Sequence, residues 1–229
     1  MSHGYYQLPS GRVAAIESDC PFPPINQALS EPNGLIAIGG DLNVTRLLSA
    51  YRQGIFPWFN AGEPVMWWSP DPRMVLYPGD LKISKSLAKI LKGNPFETRI
   101  NTAFLAVITA CGNTPRRDQP GTWITDEMIK AYCDLHAQGF AVCAETWLNG
   151  ELVGGCYGVK IGRMFYGESM FHTQPNASKI AFVCLVEWLK RQQVGMIDCQ
   201  MKTPLLSSFG GQEISRNDFM QTLSKLVNS

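Results

Sequence analysis

Few residues in this chain could act as covalent nucleophiles. It has no Gly-x-Ser-x-Gly elbow, and none of its cysteines (20, 111, 133, 143, 156, 184, 199) has an evident histidine partner. The run MIDCQ is the more informative stretch, because it places Asp198 and Gln200 in an otherwise apolar segment. Residues i and i+2 of a strand share a face. Asp198 and Gln200 would therefore line one cleft, with Ile197 and Cys199 on the opposite face and Cys199 in the core. Burying an unpaired carboxylate costs roughly several kcal/mol, so Asp198 needs a partner or a task. It either buttresses a sheet edge through a backbone hydrogen bond or takes part in chemistry. An amide is a poor base by itself, so Gln200 alone does not identify a general base.

Two other groups have types and spacing that suit binding. Lys82, Lys85, Lys89 and Lys92 recur every three to four residues with no acidic residue among them. On a helix they form one positive stripe, either a solvated face or a seat for RNA phosphates. Arg116 and Arg117 could extend it. Five large aromatics lie between Phe56 and Trp68 (Phe56, Trp58, Phe59, Trp67, Trp68). They form either a lid over a core or a platform for an apolar ligand or for bases.

The elements that must hold these groups follow from pattern. Residues 1–30, rich in proline, read as an extended arm. Asn43 or Thr45 caps a short helix that Gly54 stops. MVLYP reads as a strand, residues 81–92 as a helix, FETRI as a strand and NTAFLAVITACGN as a helix. A further helix is capped by Thr125 and ended by Gly139. From Phe140 three strands follow, with turns at Asn149-Gly150 and Ile161-Gly162. Asn176 caps a long helix whose Ala177, Ile180, Ala181, Cys184, Leu185 and Trp188 keep the spacing of a buried face. The short strand Met196–Gln200 and a final helix over 216–227 complete the chain. The order predicts an α+β fold: a small N-terminal domain (1–72) followed by a mixed sheet flanked by helices (73–229). It resembles the layout of the N-acetyltransferase superfamily, whose central strands splay into a cleft.

Composition sets limits on function. Of 229 residues, 45% are apolar and 17% charged, which favours a sizeable core over disorder. A net charge of +1 supplies no global field for nucleic acid, so RNA contact must be local. Seven scattered cysteines without a Cys-x-x-Cys pair indicate reduced thiols rather than a disulfide frame or zinc site. Three widely spaced histidines make no metal cluster. Neither a signal core nor a run of ~18 apolar residues is present. The expectation is a cytoplasmic monomer with no membrane segment, no cofactor and no metal.

Eight strings occur in one order: EPNGLIAIGGDL, YRQGIFPWF, WWSPDPR, GTWIT, ELVGGCYGV, FYGESMF, NASK and IDCQ. Together they resemble the leucyl/phenylalanyl-tRNA–protein transferases across residues 31 to 200. The resemblance implies a splayed acyltransferase fold after a small N-terminal domain. It also implies transfer of Leu or Phe from aminoacyl-tRNA to the α-amine of proteins beginning with Lys or Arg, marking them for the N-degron pathway. Such an ester is already activated, which agrees with the lack of a nucleophile. By resemblance, Asp198 polarises and Gln200 orients and helps deprotonate the amine. Alternatively, catalysis is mostly positioning, and the ribose of the tRNA passes the proton.

The resemblance also assigns binding residues. Cys156, Phe165 and Leu185 line the donor side-chain pocket, and Trp58 and Trp123 stack on the terminal adenosine. Glu168, near the mouth of the pocket, meets the basic side chain of the acceptor. Strict alternation puts Phe165 and Glu168 on opposite faces, so a bulge at Gly167 is expected to bring them together. The chain departs from the family pattern at Leu205, where a histidine is expected, at Phe209, usually Leu, and at Cys156, often Met. An acyl-CoA-dependent acyltransferase is disfavoured because HTQPNASK lacks the glycine-rich turn that a pyrophosphate needs at a helix start. A non-catalytic RNA- or peptide-binding module would use the same lysine stripe.

Overall fold

A computed structural model of the protein describes residues 4–93, 95–114 and 123–228. The first part of the chain forms β1 (Gly4–Leu8), β2 (Gly11–Ile16), β3 (Leu35–Gly39), α1 (Val44–Arg52), β4 (Phe56–Pro57) and β5 (Met66–Trp68). These strands make a small sheet in the order β1-β2-β3-β5-β4. Residues 4–16, expected as an extended arm, are instead an antiparallel hairpin. The prolines of that region lie outside its strands, at 9 and from 21 on. Val13, Ala14 and Ile16 are buried, and that burial holds β2 against β3. The cap expected of Asn43 is present, its side chain accepting from the Arg46 N–H at 2.8 Å.

The rest of the chain forms β6 (Arg73–Leu76), α2 (Lys85–Lys92), β7 (Glu97–Ile100), α3 (Phe104–Gly112), α4 (Asp126–Ala137), β8 (Ala141–Leu148), β9 (Glu151–Ile161), β10 (Met164–His172), α5 (Ala177–Arg191), β11 (Met196–Gln200), α6 (Pro204–Ser208), β12 (Gln212–Ile214) and α7 (Arg216–Leu226). Its seven-stranded sheet runs β12-β6-β11-β10-β9-β8-β7. This is the α+β layout that the sequence predicts. Asn149 and Gly150 form the two-residue turn between β8 and β9, both with positive φ (52° and 82°). Two local expectations differ. Asn176 enters α5 in the left-handed region and makes no side-chain cap. The helix expected over 81–92 starts at Lys85, capped by Ser84, so Lys82 precedes it.

The sheet separates two cores. Ala141 and Cys143 of β8, with Tyr157, Val159 and Ile161 of β9, pack with α3, α4, α1 and the small sheet. Val142, Ala144, Cys156 and Phe165 pack with α5 and Leu87 of α2. Neighbouring strands of this sheet run antiparallel, except β10 and β11, which are parallel. Their pairing stops at Tyr166↔Asp198. Beyond that point β10 continues along β9, and β11 follows β6. The sheet forks there. Among the described residues, no helix is long and apolar enough to cross a membrane.

Candidate functional site

A cavity of about 550 Å³ opens at the fork. Gly167 to His172 of β10 line one side, and Cys199, Gln200 and Met201 the other. Phe56, Pro57 and Trp58 come from the small sheet and its continuation, Phe182 and Leu185 from α5, and Leu205 and Leu206 from α6. Residues of both cores line it, so the cavity passes through the sheet rather than lying on one face.

The structure corrects the expected relation of Asp198 and Gln200. The ladder between β11 and β6 shifts register between these residues: Asp198 pairs with Val75, but Gln200 pairs with Met74. One extra residue reverses the alternation. Gln200, with φ of 56°, therefore lines the cavity, whereas Asp198 does not. Cys199, expected in the core away from the cleft, also lines the cavity, as does Ile197. Asp198 is completely buried and accepts from Arg73, Nε to Oδ1 at 2.8 Å and Nη2 to Oδ2 at 2.7 Å. Its link to Gln200 is through the backbone, the Gln200 N–H donating to Oδ1 at 2.9 Å. The Arg73 guanidinium lies between the rings of Phe56 (4.9 Å) and Phe219 (4.6 Å). Sequence reasoning missed Arg73. Its signal was a lone cation opening the apolar run MVL, with a buried carboxylate elsewhere in need of a partner.

Glu168 sits at the expected bulge, where the β9–β10 register shifts between Gly167 and Ser169. It lines the same cavity as Phe165. Its carboxyl, however, turns to α1 and α4: Oε1 is 2.7 Å from the Tyr51 hydroxyl and Oε2 is 3.1 Å from that of Tyr132. Burial pushes this carboxyl up to about 7, against the hydrogen bonds from the tyrosines. Sequence reasoning missed Tyr51 and Tyr132, because a hydroxyl whose partner is distant in the chain leaves no local signal.

Trp58, Trp123, Cys156, Phe165 and Leu185 all border the same cavity. Leu205 stands on the wall as well. No imidazole comes from that position, but His172 contributes one from β10, its Nδ1 3.3 Å from the Ser178 hydroxyl. Cys156 is buried, and burial raises its thiol well above the usual range, so it acts as an apolar surface. Glu145 shows what a structural carboxylate looks like in this fold. It is buried and accepts from the N–H groups of Thr102 and Ala103 at the start of α3, at 2.6 and 2.8 Å.

Lys82, Lys85, Lys89 and Lys92 are exposed and, among the described residues, none is in an ion pair. Leu87 anchors α2 to the α5 core, so the lysines face outward. The Lys82 N–H donates to the Phe209 carbonyl at 2.9 Å, which ties this segment to the end of α6 beside the cavity. Arg116 and Arg117 lie outside the described residues.

Comparison with known proteins identifies the family. The family described as leucyl/phenylalanyl-tRNA protein transferase matches residues 75–224, and its N-terminal domain matches 40–71. A protein of that name from Nitrosomonas eutropha is 57% identical over 94% of this chain and 92% of its own. The chain belongs to the leucyl/phenylalanyl-tRNA protein transferase family. Another relative of that name, from Nitrosospira multiformis, is 58% identical over 93% of this chain and 91% of its own. Solved structures similar to this transferase include FemX, 9% identical with a TM-score of 0.49 over 96% of this chain and 85% of that one. A GCN5-related N-acetyltransferase from Kribbella flavida is 8% identical with a TM-score of 0.42, over 78% and 63%. Of the eight residues assigned to catalysis or substrate binding from the sequence, seven border one cavity, Trp58, Trp123, Cys156, Phe165, Glu168, Leu185 and Gln200, and Asp198 does not.

Proposed function

We propose that the enzyme moves Leu or Phe from aminoacyl-tRNA to the α-amine of proteins beginning with Lys or Arg, marking them for degradation by the N-degron pathway. The observation that carries this reading is a cavity lined from both cores. Cys156, Phe165, Phe182, Leu185 and Ile197 belong to the core under α5, while Trp58 and Trp123 belong to the other core, to which Glu168 is tied through Tyr51 and Tyr132. The cavity volume of about 550 Å³ lies within the range of small-ligand sites.

In this reading the donor side chain enters on the side of the α5 core, the terminal adenosine stacks on Trp58 and Trp123, and the acceptor's cationic residue approaches Glu168. The amine nitrogen bonds to the ester carbonyl, and the ester C–O bond to the ribose breaks. The amine gives up a proton, and the ribose oxygen gains one. Gln200 orients the amine from the cavity wall. Asp198, out of the cavity, acts through its charge and by holding the Gln200 backbone. The lysine face of α2 receives acceptor-stem phosphates.

Incubation with charged Phe-tRNA and a peptide beginning with Arg tests the proposal by mass spectrometry. The expected product carries one added Phe residue. Peptides beginning with Ala stay unmodified; equal addition to both would remove the Lys/Arg selectivity, and no addition to either would remove the reading.

A further inference from the structure

Tyr51, Tyr132 and Glu168 come from α1, α4 and β10 and close a ring of three short polar contacts. Tyr51 Oη lies 2.7 Å from Glu168 Oε1, Tyr132 Oη 3.1 Å from Oε2, and the two hydroxyl oxygens are 2.5 Å apart. Each contact needs one hydrogen between its heavy atoms. A tyrosine hydroxyl has one to give, and an ionised carboxylate has none. With Glu168 ionised and both hydroxyls donating to it, the two phenol oxygens would meet at 2.5 Å with lone pairs alone; with Tyr132 donating to Tyr51 instead, the Tyr132 oxygen and Oε2 would face each other at 3.1 Å without a hydrogen. A third hydrogen on Glu168 satisfies the ring. Oε2–H then donates to Tyr132, Tyr132 to Tyr51, and Tyr51 to Oε1.

We propose that Glu168 is a neutral acid while the cavity is empty, and that it releases its proton to solvent when a cationic acceptor residue is seated against it. The second half rests on the proposed function, in which Glu168 meets the acceptor. Both tyrosines are completely buried, so neither hydroxyl has a solvent partner, whereas Glu168 is half-buried and borders the cavity. The surrounding groups act in the same sense on balance. Burial dominates, Asp198 on β11 opposes ionisation, and Arg73 on β6 favours it, although two of its nitrogens are engaged by Asp198. Tyr166 of β10 spends its hydroxyl hydrogen on the Tyr51 carbonyl at 2.8 Å and contributes none to the ring. The cavity thus holds no unpaired carboxylate until a cation comes to pair with it, which avoids the cost of a buried lone charge. Linkage follows: affinity for a cationic acceptor rises about tenfold per pH unit below about 7 and levels off above it.

Two measurements on the whole protein test the halves separately. In protein labelled with ¹³C-glutamate, the side-chain carboxyl resonances are titrated by NMR. One is expected to titrate near 7 and to vanish in Glu168→Gln; all titrating in the ordinary range would overturn the neutral ring. This holds even if that variant fails to fold, since the outlier is read in the wild type. Calorimetry with an Arg-starting peptide, in two buffers of different ionisation enthalpy, then counts protons. About one proton is expected to leave per peptide at pH 6 and almost none at pH 8. A neutral Glu168 with no release at pH 6 overturns the coupling, while transfer to the same peptide shows whether the proposed function survives. His172→Asn tests the imidazole that also borders the cavity: release that persists supports Glu168, and release that disappears assigns the proton to the imidazole and overturns the proposal.

Discussion

Arg73 grips Asp198 with two parallel hydrogen bonds of 2.8 and 2.7 Å, and neither side chain is exposed to solvent. Breaking a buried pair leaves an uncompensated charge, which costs about 3–5 kcal/mol, whereas replacing both partners by apolar residues is often neutral. Arg73→Met should therefore lower the denaturation midpoint sharply, and Arg73→Met with Asp198→Leu should recover much of the loss. Transfer should remain low in the double variant. Wild-type transfer there would reduce Asp198 to a structural carboxylate.

Gln200 separates stability from chemistry. Its φ of 56° lies in the left-handed region, where a non-glycine residue costs of the order of 1 kcal/mol or more. Gln200→Gly should melt no lower than wild type and yet lose about 10²–10⁴ in single-turnover rate if the amide assists proton removal. A loss below about tenfold assigns the proton to the tRNA ribose.

Phe165 is held flat on β9. A Cβ at Gly158 would come within 2.5 Å of its ring, so the glycine there makes room for the wall of the pocket. Phe165→Ala would risk the fold, at about 3–5 kcal/mol for a buried Phe. Phe165→Leu should fold and lower kcat/KM for Leu- and Phe-tRNA by about tenfold, within the 1–3 kcal/mol that small apolar changes contribute in a pocket. Unchanged kinetics with both donors would take Phe165 out of the pocket.

The Glu168 carboxyl, raised from 4.5 to about 7, also gives stability a pH signature. Between those values the folded state binds more protons than the unfolded one, so stability falls as pH rises through that window and is level above it. The contribution is at most roughly 3 kcal/mol, at 1.36 kcal/mol per unit. Urea midpoints at pH 5 and 7.5 should differ in this sense for wild type, and the difference should shrink in Glu168→Gln.

The lysine face is tested by salt. Each phosphate contact adds about 0.7–0.9 to the slope of log K against log salt. Lys85→Gln with Lys89→Gln should flatten the slope for tRNA by about twice that amount if both contact phosphates, leaving the ratio of Leu to Phe transfer unchanged. An unchanged slope would make the stripe a solvated face.

Periodicity revealed the elements, because a two-residue turn such as Asn149-Gly150 and the stripe of α5 are written locally. The strings that resemble the family led to the residues that border the cavity, again because each string is local. Residues whose role depends on a distant partner were not legible. Arg73 is defined by Asp198, 125 positions later, and Tyr51 by Glu168, 117 positions later. The bulge at Gly167 could be anticipated from a glycine at a position where alternation had to fail. The shift before Gln200 had no such mark, since MIDCQ contains no glycine, and strict alternation was the wrong guide there.

The same separations bear on how the site comes into being. Its framing contacts join residues 115 to 147 positions apart: Tyr166 to Tyr51, Glu168 to Tyr51, Asp198 to Arg73, and Arg216 to Ser69. Loops of that length must close before such contacts reward the closure, so topology of this kind folds slowly. The hairpins of β8–β10 and the single helices can form early from neighbours in sequence. The cavity cannot, because its walls belong to segments that meet only when the small sheet, β6 and α7 dock together. A kinetic intermediate with both sheets formed but undocked would have nearly native secondary structure and no place for an aminoacyl ester, so recovery of activity on refolding should trail recovery of the far-ultraviolet signal.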